Sequence, residues 1–99
     1  MYIVRDIFHL KFGHFKEANA LLKEAMTDGM MPSRDSARVL SDFTGDSYRL
    51  IFEEGFDSLA EFEKALGESM AESKWQKWYE GFKQHVDTSQ REILKTIQN

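Results

Sequence analysis

Cysteine is absent from this sequence. That excludes disulfides and thiolate metal centres. There is no run of 18 apolar residues, so no segment reads as a bilayer-spanning helix and no membrane is expected as a partner. No glycine-rich phosphate loop, no His-Glu-x-x-His helix and no Gly-x-Ser-x-Gly turn occurs. These gaps argue against nucleotide binding, zinc-peptidase chemistry and a hydrolase nucleophile. Only three histidines are present, His9, His14 and His85, and their spacing brings no two together in sequence, so no metal site is expected. Basic residues are also scarce: 13 Lys and Arg stand against 17 Asp and Glu, and the net charge of −4 falls entirely in residues 51–99. Such a surface repels a phosphate backbone, so nucleic acid is not an expected partner. The first ten residues carry Arg5 and Asp6 inside their apolar stretch and offer no small-residue cleavage site. They do not read as a signal peptide, and a cytoplasmic location is expected.

What the chain does have is bulky apolar material: 41% hydrophobic residues, with eight Phe, two Trp and three Tyr in 99 residues. That suffices for one domain spanning 1–99, which at this size buries roughly 60–65% of its unfolded surface. Residues Tyr2 to Phe12 alternate, with Tyr2, Val4, Phe8, Leu10 and Phe12 on one parity, which predicts a strand. Asp6 interrupts the apolar parity. Phe15, Ala18, Leu21, Leu22, Ala25 and Met26 follow at helical spacing, and Gly29 stands where a C-terminal cap would. Met30 to Asp35, with the only proline, Pro32, reads as a loop. Ala37 to Phe43 and Tyr48 to Phe52 flank Gly45-Asp46, which predicts a hairpin with a two-residue turn. Ser58 to Glu61 is a capping box ahead of the stripe Leu59, Phe62 and Leu66. Ser73 to Gln76 reads as a second one, so the helical region divides between Gly67 and Ser73. Trp75, Trp78, Tyr79 and Phe82 lie at i, i+3, i+4 and i+7, and Glu92 to Ile97 reads as the last strand.

Strand–helix–strand–strand–helix–strand is the ferredoxin-like order. It predicts an α+β fold, a four-stranded antiparallel sheet with helices on one face. Ile3 and Ile7 on the second parity of the first strand, and Ile51 in the third, leave the other face apolar as well. A sheet with one wet face alternates more cleanly, so a cover is expected, and a second copy of the same sheet is the simplest one. Order, size and two-sided sheet resemble the dimeric α+β-barrel superfamily, which includes small monooxygenases of the antibiotic-biosynthesis type. Tyr2-x-Val4-Arg5 followed by Leu10-Lys11-x-Gly13, and Trp75 ahead of Glu92-Ile93-Leu94, are similar to NIPSNAP-like proteins. The resemblance implies a homodimer and a pocket between the sheet and its helices.

The residues with chemistry to offer such a pocket are Arg5, His9, His14, Tyr48, Trp75, Trp78 and His85. Arg5 and His9 share a strand face about 13 Å apart at strand rise, within reach of one medium-sized ligand. Arg5 is the candidate anion contact and His9 the candidate catalytic base, the plain alternatives being an ion pair and a satisfied sheet histidine. Tyr48, Trp75 and Trp78 are the candidate aromatic contacts, the plain alternative being core. Haem-degrading members of the superfamily use an Asn, a Trp and a His. The first strand here has no Asn, so none of their catalytic residues is carried over and no cofactor is expected. The leading expectation is a small-ligand-binding protein with an aromatic ligand. The alternatives are a cofactor-free monooxygenase acting on an electron-rich aromatic substrate, with His9 as base, and an interaction module without a ligand.

Overall fold

The computed structural model describes residues 1–27 and 37–97. Gly29 as a cap and the Met30 to Asp35 loop lie outside the described residues. Four strands, β1 (Tyr2–Leu10), β2 (Arg38–Ser41), β3 (Arg49–Phe56) and β4 (Val86–Lys95), form one sheet in the order β2-β3-β1-β4. Every neighbouring pair is antiparallel. Three helices, α1 (Phe15–Thr27), α2 (Leu59–Ala71) and α3 (Ser73–Phe82), complete the ferredoxin-like α+β fold, and a 3₁₀ turn, Lys83–His85, joins α3 to β4. No helix among the described residues is long and apolar enough to cross a membrane.

The period-two pattern of β1 puts Val4, Phe8 and Leu10 on the helix side. There Leu10 and Leu50 meet Ala18 and Leu22 of α1 and Phe82 of α3, all five buried. Ala18, Leu22 and Ala25 are the buried residues of α1, at i, i+4 and i+7, and the two alanines let the helix approach closely. Phe82 is the keystone of this layer. Phe8 meets it edge-on at 5.2 Å, and Trp78 stacks on it at 4.9 Å. Asp6, the flaw in the apolar parity, is answered across the strand pair. Its partner in register is Arg91 of β4, whose Nε donates to Asp6 Oδ1 at 2.6 Å.

The hairpin is wider than the sequence predicted. β2 ends at Ser41 and β3 begins at Arg49, so seven residues separate them in place of a two-residue turn. The reason is a local competitor to the ladder. The Asp42 carboxylate accepts from the Arg49 backbone N–H and from its guanidinium, closing the loop from inside. β4 also differs: it starts at Val86, six residues before the predicted Glu92. As an edge strand it is polar from Asp87 to Glu92, so no alternation betrays its first half. The first capping box holds, with Glu61 N–H donating to Ser58 Oγ. The second does not. The N-cap of α3 is Glu72, without a side-chain cap, and Gln76 Nε2 donates to Met70 O instead. The helix break accordingly falls at Glu72 alone, and α2 runs through Gly67.

Candidate functional site

The sheet face turned away from the helices carries Ile3, Arg5, Ile7 and His9 of β1 beside Arg49, Ile51 and Glu53 of β3. Glu53 is its anchor, only 5% exposed. Arg5 Nε donates to Glu53 Oε2 at 2.7 Å, and Arg38 Nε donates to Oε1 at 2.9 Å. Burial pushes the Glu53 carboxyl up, but the hydrogen bonds from Arg38 and Arg5, with their charges, outweigh this and hold it below its ordinary value. Arg5 is therefore committed to a carboxylate of its own chain. His9, opposite Arg49 and Thr88 in register, makes no side-chain hydrogen bond among the described residues.

A second cluster forms where β1 ends. Leu10 N–H donates to Tyr48 O at 2.8 Å on one side, and Lys11 N–H donates to His85 O at 2.9 Å on the other. Beside Tyr48 lies an open groove of about 520 Å³, lined among others by Phe15, Asp42, Phe43, Tyr48 and Arg49. Phe43 is fully exposed, and Phe12, 87% exposed, packs its ring on Tyr48 at 5.3 Å. Hydrogen bonds from Arg49 hold the Asp42 carboxyl below its ordinary value, against burial, which pushes it up; the same bond raises Arg49. Ser47 at φ 70° and Tyr48 at φ 58° both occupy the left-handed region, unfavourable for an aromatic residue. On the far side of Lys11, His14 and His85 bring their Nδ1 atoms to 3.0 Å.

The sequence candidates thus separate. Tyr48 lines the groove; Arg5 and His9 lie on the open sheet face. Trp78 belongs to the helix layer, its indole N–H donating to Leu21 O at 2.7 Å, and Trp75 stacks on Tyr79 one turn along α3 at 5.0 Å. Neither tryptophan lines the groove. Sequence reasoning missed Asp42, Phe43 and Arg49. The signal for the ion pair was an Asp ahead of a Gly-Asp-Ser loop and an Arg just after it, a pattern suited to side-chain-to-backbone turns.

The fold has solved counterparts. A NIPSNAP family protein from Agrobacterium tumefaciens superposes with a TM-score of 0.84 at 20% identity, over 96% of this chain and 92% of that one. The chain has the NIPSNAP fold. An uncharacterised NIPSNAP domain protein from Burkholderia xenovorans gives 0.83 at 12% identity, over 97% and 94% of the two chains. An antibiotic biosynthesis monooxygenase gives 0.73 at 15% identity, over 99% and 100%. No family profile and no curated protein matches the sequence. The NIPSNAP likeness therefore fixes topology, and the chemistry must be argued from this chain's own residues.

Proposed function

We propose that this chain is a homodimeric small-ligand-binding protein of the dimeric α+β-barrel type, taking a flat aromatic ligand in the groove beside Tyr48. The observation that carries the reading is the Tyr48 backbone, held at φ 58° directly after Ser47 at φ 70°. Such conformations cost on the order of 1–3 kcal/mol each and persist where the surroundings over-determine them, often at ligand sites. Here the strained residue lines the groove together with an exposed Phe43. Phenylalanine and tyrosine faces suit an aromatic ring, and the Asp42–Arg49 pair supplies a polar end. The sheet face away from the helices supports self-association: half-buried Ile3 and Ile51 and exposed Leu40 and Leu94 stand around the buried Ile7, beside a carboxylate already neutralised by two arginines. In this reading Arg5 and His9 face the second copy, and Tyr48 is the sequence candidate that touches the ligand. A monooxygenase needs a base at its substrate, and His9 is not among the groove-lining residues.

A thermal-shift screen with aromatic metabolites, quinones and haem tests the reading. A ligand at 100 times its Kd adds about 2.7 kcal/mol, a rise in Tm on the order of 10 °C for a domain of this size. Tyr48→Ala should abolish the shift. If no compound raises the Tm, or if the shift survives in Tyr48→Ala, the groove is not the ligand site.

A further inference from the structure

His14 and His85 are 71 residues apart in sequence, and folding places their Nδ1 atoms 3.0 Å apart. Their rings lie 5.2 Å apart with a 53° angle between planes. Both positions are fixed by the backbone. His14 N–H donates to Lys11 O at 3.0 Å, its own carbonyl accepts from Ala18 in the first turn of α1, and His85 O accepts from Lys11. A contact between two Nδ1 atoms requires one ring to donate and the other to accept, so at least one Nδ1 is unprotonated. Neither ring is engaged by a carboxylate among the described residues, unlike Arg5, Arg38, Arg49 and Arg91. Two half-buried imidazole nitrogens are thus held close together by backbone hydrogen bonds, with no acidic partner among the described residues.

We infer that His14 and His85 form a two-histidine site for a divalent transition-metal ion, Cu²⁺ before Ni²⁺ or Zn²⁺. Imidazole suits all three metals, and affinity for a given nitrogen site is greatest for copper. The 3.0 Å separation is that of the hydrogen-bonded pair and changes as the rings turn to chelate, so the order of preference rests on the affinity series alone. Chelation needs modest ring rotations that aim both lone pairs at one point. The donor ring moves its proton from Nδ1 to Nε2 through solvent, so two neutral imidazoles bind the ion with no net proton release. Two aqua ligands leave the metal, and its oxidation state is unchanged. No third His, Cys, Asp or Glu completes a cluster among the described residues, so the remaining positions belong to water or a small donor ligand. The inference does not rest on the groove reading: the histidines do not line the groove, and its failure would leave this site standing.

The test needs no variant to begin. The native chain is titrated with substoichiometric Cu²⁺ while the imidazole signals are followed by NMR. The paramagnetic ion should broaden the His14 and His85 ring signals first, with His9, on the open sheet face, as the internal control. Competition against a copper-buffering chelator should then give one ion per chain. His14→Gln and His85→Gln should each weaken binding at least tenfold, and His9→Gln should not. Equal broadening of all three histidines, broadening of His9 first, or no broadening at one equivalent would overturn the site. Undiminished binding in both folded Gln variants would do the same.

Discussion

Replacing Trp78 separates the contributions that hold α3 to the rest of the molecule. The side chain makes two distinct contacts: it stacks on the fully buried Phe82 at 4.9 Å, and its indole N–H donates to Leu21 O in α1 at 2.7 Å. Trp78→Phe keeps a ring on Phe82 but leaves the Leu21 carbonyl without this donor. The loss should be about 1 kcal/mol, the range for one net hydrogen bond, because the Leu21 carbonyl stays within the ladder of α1. Trp78→Ala removes the stack as well. Large aromatic truncations cost about 3–5 kcal/mol when fully buried, and the half-buried position of Trp78 puts it near the lower end, about 3 kcal/mol. A domain of this size has a total stability of roughly 5–15 kcal/mol, so the Ala variant should still fold but with reduced margin. Urea denaturation followed by circular dichroism gives both values on one scale. Thermal midpoints should fall by roughly 4–8 °C per kcal/mol. A loss below about 1 kcal/mol for Trp78→Ala, or equal losses for both variants, would refute the packing argument. In the second case the hydrogen bond alone would hold α3 against α1.

Two further outcomes follow from the open sheet face. Because the folded pKa of Glu53 lies below its ordinary value of 4.5, its ion pairs stabilise the fold fully above that value and lose their effect as pH falls through the lowered one. Glu53→Gln should therefore lower the urea midpoint at pH 7 and flatten its decline as pH falls below about 4.5; a parallel decline in both proteins would contradict this. Sedimentation equilibrium at micromolar concentration should give twice the 11.6 kDa chain mass, and Ile51→Glu, placing an unpaired charge at the centre of that face, should give the monomer. A wild-type monomer, or a dimer that tolerates Ile51→Glu, would mean that the sheets do not pair through this face.

Sequence alone determined the elements that carry a burial signal. β1 alternates because one parity meets the helices, α1 repeats at helical spacing because Ala18, Leu22 and Ala25 face the sheet, and the Ser58–Glu61 box announces α2. The element order then sufficed for the ferredoxin-like fold. What failed were features with no such signal. The first half of β4 is polar because an edge strand buries little, and the β2–β3 loop is shaped by one Asp–Arg contact that leaves no trace in hydropathy. The candidate sites were legible only as residue types. Arg5 and His9 share a strand face in sequence and in space, but whether Arg5 is available depended on Glu53, 48 residues away. The groove at Tyr48 and the His14–His85 pair arise where β1, the β2–β3 loop and the start of β4 converge. Periodicity reports how much of a residue is buried; which side chains meet depends on register and loop geometry, and these are decided only when the sheet closes.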